Sequence, residues 1–408
     1  MPDSTVPGDR LREMRLIRGL TQEQLAERAG LSLPTVKKLE RGGSARIETY
    51  HALARALRVT TSTLFETGGP RRRTHADDDR FDLMALRQAV APPVTPSGRL
   101  RLAATVEPEP DLQQMKHTAT ALDEAYHRDD YLTVAELLPA LIQSTHVAVD
   151  HFDSGSQRIE ALKLRADALQ MAGRYLTQLR AYDLAHLALR ESMRDAAAAG
   201  DALRGGAAVY LEGWTLIREA RLDEAEQVAA ATADDIEPRL SRASRDELGV
   251  WGRLLLKASA AAARNNKPSE AKDFVQMARA AGAALGNGSG GAGYKSGRFN
   301  NLSAAYQAVE NYMVAERPDR VLGLSERISA AGASTSNTKH RHLLDVARAH
   351  VLLRHDDEAE GILAALYEES PDWLSHQRMA ADVFSDVLRK RRRLTQRQRK
   401  LAEFFSVA

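Results

Sequence analysis

The stretch TQEQLAERAGLSLPTVKKLE, residues 21–40, decides how the N-terminal region folds. Thr21 can cap a helix, and Gln24 falls three residues later. In that pattern each side chain satisfies the other residue's backbone N–H. Leu25, Ala26 and Ala29 recur on one helical face. Gly30 suits the left-handed conformation that ends a helix. Leu31 is apolar, Ser32 is a second cap, and Pro34 falls in a first turn, where a missing N–H costs little. Val36 and Leu39 continue the inner face, and Arg41-Gly42-Gly43 closes the second helix. Two short helices joined by a glycine-bearing turn, with small Ala26 at their crossing, form a helix-turn-helix.

The flanks extend the unit. LREMRLIRG (11–19) has the pattern of a preceding helix, and IETYHALARALRVTTSTLF (47–65) supplies two more. Over residues 8–67 this five-helix arrangement resembles the DNA-binding domain of the Cro/C1 repressor (XRE) family. The resemblance implies double-stranded DNA as partner, a homodimer and no enzymatic activity. It places Gln22 on a DNA phosphate and Thr35 and Arg41 on the backbone. Ser32, Leu33, Pro34 and Lys38 match positions that face base edges, whereas Lys37 is read as a phosphate contact. Better-known relatives often carry Gln or Arg where Leu33 and Pro34 stand. Leu and Pro can touch thymine methyl groups but cannot donate hydrogen bonds, which leaves Lys38 to read guanine.

Charge supports a polyanion partner. Residues 1–73 carry a net +6 and residues 389–400 (RKRRRLTQRQRK) a net +8, whereas residues 74–388 carry −11. The tail reads either as a second nucleic-acid patch or as a solvated terminal helix. The chain has no Cys, which excludes disulfides, thiolate metal sites and a Cys nucleophile. The N-terminus lacks a signal-peptide core, and no stretch reads as the ~18 apolar residues of a membrane helix. The expectation is therefore a cytoplasmic protein without membrane contact.

Residues 68–110 read as a linker with one short helix. TGGPRRRTHADDDR (67–80) is rich in turn formers and charge blocks, and residues 91–110 hold five prolines. From residue 111 to 405 helices follow one another, interrupted by the Gly-rich LGNGSGGAGYKSG (285–297), read as a flexible loop. Small or apolar anchors recur at the start of alternate helices: Ala225, Ala271, Val321 and Ala359, with weaker copies at Ala135 and Gln178. Small residues precede four of them by about a dozen positions, at Gly213, Ser259, Ala308 and Ala347. This pattern resembles a divergent tetratricopeptide repeat (TPR) array. The expected fold is all-α, a five-helix Cro/C1-type domain followed by a TPR-like α-solenoid with a concave surface lined by first helices.

No catalytic pattern stands out. HExxH and GxSxG are absent, and the pairs His340/His342 and His146/His151 are poorly spaced for metal, so neither metal nor cofactor is expected. Trp214, Trp251 and Trp373 read as core residues. Asn300, Gln307 and Asn311 recur at helical spacing, with Asn301 adjacent. They read as a candidate groove for a peptide or small-molecule effector, or as an ordinary exposed face. An XRE domain joined to such an array resembles both the peptide-sensing regulators of Gram-positive bacteria and the TPR-bearing regulators of actinomycetes, and the Ala/Arg-rich composition favours the second; either implies a sequence-specific transcription regulator. The alternative is a TPR protein–protein interaction adaptor with a subsidiary helix-turn-helix.

Overall fold

The computed structural model describes residues 11–41, 47–57, 83–96, 110–286, 289–290, 299–328 and 336–406, except 13, 17, 129, 376, 390 and 392. Among these residues the chain is all-α, with no strand, and an isolated antiparallel bridge joins Gly290 and Phe299. It divides into two compact units, the second beginning at residue 79.

The first unit comprises α1 (helical at residues 11–12 and 14–16), α2 (Gln22–Ala29), α3 (Leu33–Glu40) and α4 (Ile47–Leu57). Leu11, Leu25, Val36, Leu39, Leu53 and Leu57 meet in its core. The fifth helix expected from the sequence lies outside the described residues, as does the charged stretch 67–80.

The second unit opens with α5 (Met84–Val90), the short helix that the sequence assigns to the linker. It is built into this unit instead. Leu86, Ala89 and Val90 enter the core, and the buried His146 ring reaches the Ala89 carbonyl at 3.1 Å. Six helix pairs follow. They are α6 (Leu112–His127) with α7 (Tyr131–His151), α8 (Gly155–Gln178) with α9 (Tyr182–Ala198), and α10 (Ala202–Arg218) with α11 (Leu222–Asp235). Then come α12 (Arg245–Arg264) with α13 (Pro268–Leu285), α14 (Asn301–Val314) with α15 (Pro318–Ser325), and α16 (Ser336–Leu352) with α17 (Asp356–Glu369). Each first helix touches its partner and the next first helix, as in a TPR-like stack.

One turn recurs within five pairs. Its middle residue is left-handed although it is not glycine: Arg180, Ala220, Asn266, Glu316 and Arg354, with φ between 54° and 65°. The next N–H donates to the carbonyl five residues back, for example Arg221 to Leu216 at 2.9 Å and His355 to His350 at 2.8 Å. That bond closes the first helix and aims the second. The fourth residue of every second helix then packs inward: Val134, Ala185, Ala225, Ala271, Val321 and Ala359 are all buried. Two sequence assignments need correction. Val134, not Ala135, holds the anchor in α7. Gln178 ends α8, and the anchor of that pair is Ala185. Small residues allow the close approach. A Cβ on Gly173 would lie 2.4 Å from Leu189 Cγ, and one on Gly213 would lie 2.7 Å from Lys257 Cγ.

Helix α7 is long and apolar enough, by length and composition, to cross a membrane, contrary to the sequence expectation. Val134, Leu138, Ile142 and Val149 on it are built into the core of the unit. The chain ends in α18 (Pro371–Ser375), α19 (Arg378–Leu388) and α20 (Gln396–Phe405). The basic tail is partly folded here. Thr395 and Gln398 form a capping box, buried Gln398 donates to Glu360 at 2.6 Å, and Leu401 joins the core. Lys400 pairs with Glu368 at 3.0 Å, and Arg391 with Asp357.

Candidate functional site

The helix-turn-helix is capped as the sequence requires. Gln24 N–H donates to Thr21 Oγ1 at 3.2 Å, and Thr21 N–H to Gln24 Oε1 at 2.8 Å. Gly30 is left-handed with φ 64°. Thr35 N–H donates to Ser32 Oγ at 3.3 Å, and the two hydroxyls share a 2.8 Å bond. Thus Ser32 and Thr35 begin α3 while engaged with each other. Leu33 is half-buried against the core, and Lys37 is half-buried. Pro34, Lys38 and Arg41 are exposed. Their spacing places Pro34, Lys38 and Arg41 on one outward face of α3.

Sequence reading missed what holds this face. Arg15 Nε and Nη2 clamp both carboxylate oxygens of Glu40, at 2.6 and 3.0 Å, and Nη1 donates to the Leu20 carbonyl at 2.8 Å. Gln22 Nε2 donates to the same carboxylate at 2.6 Å. Burial pushes the Glu40 carboxyl up, but Arg15 and Gln22 outweigh it and hold it below its usual range. The bond to Arg15 raises the guanidinium in turn. The bidentate pair thereby ties α1 to the end of α3, and the single Gln22 bond ties the start of α2 to the same carboxylate.

The second unit holds an open cavity of about 700 Å³ bordered by successive first helices. Its lining advances in steps of one helical turn. Tyr210 and Trp214 come from α10, Arg253 and Lys257 from α12, Tyr306 and Glu310 from α14, and Arg341 and Asp345 from α16. Arg253 Nη2 donates to the Tyr210 hydroxyl at 2.9 Å and stacks over that ring at 4.3 Å. Lys257 Nζ lies 4.5 Å from the same ring centre. Burial lowers the pKa of Lys257 and of Arg253. Burial would raise Tyr210, but the two cations pull it down. Glu310, bonded to Arg264 and 3.9 Å from Arg341, is held at about 2 against burial. Burial raises Asp345 to about 6 despite Arg341 at 3.4 Å.

The amides singled out in the sequence scatter. Asn300 precedes α14 and caps it, accepting from Leu302 and Ser303 N–H at 3.0 and 3.1 Å. Asn301 is exposed beside Gly282. Asn311 donates to buried Ser259 Oγ at 2.8 Å, which itself donates to the Ala271 carbonyl. Of the four, Gln307 borders the cavity, donating to Glu310 and Asn311 at 3.1 and 3.0 Å. Trp251 and Trp373 are core residues, Trp373 also bordering the cavity, whereas Trp214 is a half-buried cavity residue. The residues missed, Arg253 and Lys257, carry a faint signal: two cations one turn apart in the apolar middle of α12.

These features define a helix-turn-helix unit joined to a TPR-like helical array that holds a cation-rich cavity. Residues 11–64 match the family described as helix-turn-helix, and the N-terminal unit is a domain of that kind. No curated protein matches the chain. Among solved structures it is similar to PlcR of Bacillus thuringiensis, crystallised in complex with the peptide PapR7 and DNA. Identity is 11%, the TM-score is 0.35, and the match covers 88% of this chain and 99% of that one. A likeness that slight carries no argument.

Proposed function

We propose that the chain is a sequence-specific transcription regulator of the cytoplasm, non-enzymatic and homodimeric. Its domain at residues 8–67 binds double-stranded DNA, and its array at residues 111–405 receives an effector. The observation that carries this reading is the exposed row Pro34, Lys38 and Arg41 on a fully capped second helix, in a segment matching the helix-turn-helix family. Gln22 and Lys37 contact phosphates. Thr35 and Arg41 fix the backbone register, and Ser32, Leu33, Pro34 and Lys38 face the base edges. Ser32 and Thr35 reach DNA while still bonded to one another, which suits short contacts near the helix start. Gln307 faces the effector site and Asn311 holds it there, whereas Asn300 and Asn301 act at the start of α14.

Selection of bound genomic fragments, followed by gel shifts at two salt concentrations, tests the reading. The expected result is an inverted repeat with half-sites about 34–36 Å apart, or a multiple of that, and affinity falling as salt rises. Equal binding to all fragments, or a monomer on one asymmetric site, would refute it.

A further inference from the structure

The cavity of the second unit has a charge imbalance that its own residues do not resolve. Eight arginine and lysine side chains border it, against two bordering carboxylates, Glu310 and Asp345, with Arg174 also paired to Asp123 at 2.8 Å. Glu310 is already shared by Arg264 and Arg341, and Asp345 faces Arg341. Lys257 is 9% exposed, and among the described residues its ammonium forms no hydrogen bond or close ion pair; it lies over the Tyr210 ring and feels Glu310 only at longer range. A buried cation without a counter-ion is costly, and proteins keep such a group when something binds it. The backbone makes room for it: the Lys257 stem crosses Gly213 where any side chain would collide. Around it stand Tyr210, whose ring carries Arg253 and Lys257 over it, and Trp214 and Tyr306, whose rings can meet a flat ring.

We propose that this cavity binds a small anion bearing a planar ring, with its carboxylate or phosphate against Lys257 and Arg253 and its ring among Tyr210, Trp214 and Tyr306. The proposal rests on the effector-receiving reading above and names the chemistry of that effector. Arg253 supplies a planar donor fork and Lys257 a point charge, and together they match a tetrahedral or planar oxyanion. The ligand supplies the negative charge that the lining lacks.

Tryptophan fluorescence of the full-length chain reads this site. Trp214 and Trp373 border the cavity, and the helix-turn-helix unit contains no tryptophan, so anions bound there are silent. The probe is phenyl phosphate at constant ionic strength. Benzyl alcohol supplies a ring without charge, inorganic phosphate a charge without a ring, and benzoate distinguishes carboxylate from phosphate. The expected result is saturable binding of phenyl phosphate or benzoate at least about tenfold tighter than either incomplete probe. Lys257→Met should weaken it by about tenfold or more, while the unliganded variant melts no lower than the parent, because an uncompensated charge is removed. Lys257→Gln, which keeps a polar tip, should also lose binding and guards against a folding defect in the first variant. The proposal is overturned if neither ring-bearing anion binds saturably or more tightly than benzyl alcohol. It is also overturned if both variants bind as the parent does, or if both melt well below it. Gel shifts on the same samples separate the two ideas. DNA binding without anion binding removes the anion site alone, and a parent chain that binds no DNA removes the regulator reading.

Discussion

Replacing Glu40 with Gln tests whether the Arg15–Glu40 clamp holds the helix-turn-helix together. The two side chains are 9% and 3% exposed, so the substitution leaves the Arg15 guanidinium buried beside a neutral amide. Breaking a buried pair from one side costs about 3–5 kcal/mol. This unit is small and solvent lies close, which screens the charge, so we expect about 2–3 kcal/mol. Fluorescence does not see the unit, since the tryptophans are at 214, 251 and 373. Hydrogen exchange of peptides spanning residues 22–40 does, and should accelerate by about 30- to 160-fold. The double variant Arg15→Met/Glu40→Leu removes both charges and should recover to within about 1 kcal/mol of the parent. The sign with pH is fixed. Glu40 titrates below its ordinary 4.5 in the folded unit. Its contribution is present above that value and fades as pH falls through the lower folded pKa. Unchanged exchange in Glu40→Gln, or a double variant weaker than the single, would refute the clamp.

Four further substitutions have distinct expected outcomes. In gel shifts, Gln22→Ala should weaken all sites alike. Lys38→Ala should cost about 1–3 kcal/mol at one base pair and relax preference there, and a uniform loss would make Lys38 a phosphate contact. Gly173→Ala forces a methyl group into Leu189, so the urea midpoint of the tryptophan-reported unfolding should fall by the equivalent of about 1–3 kcal/mol. Ala220→Gly relieves a left-handed alanine in an exposed turn. It should raise stability in the same assay by about 0.5–1 kcal/mol, and a loss would show that the turn is not strained.

The helix-turn-helix was legible because its signals are local. Thr21 with Gln24, Gly30, and Ser32 before Pro34 all act within four residues, and each adopts the geometry its residue type favours. The clamp was not legible, because Arg15 and Glu40 stand 25 positions apart and meet only when α1 packs against α3. The repeats were half legible for a related reason. Their anchors are small and buried, but the recurring turn carries Arg, Ala, Asn, Glu and Arg where a glycine would have marked it, so two anchors were misplaced. The cavity was hidden by averaging. The net −11 of residues 74–388 reads as an acidic body, yet the acids and bases are sorted by helix. Exposed Glu224, Glu270, Asp357 and Glu358 sit at the starts of second helices, where an N-terminus favours negative charge. Arg253, Lys257 and Arg341 lie on first helices and border the cavity. A net charge sums over both surfaces of the array. The field that a ligand meets is set by the inner one, and that sorting appears only once each helix is assigned to its place in a pair.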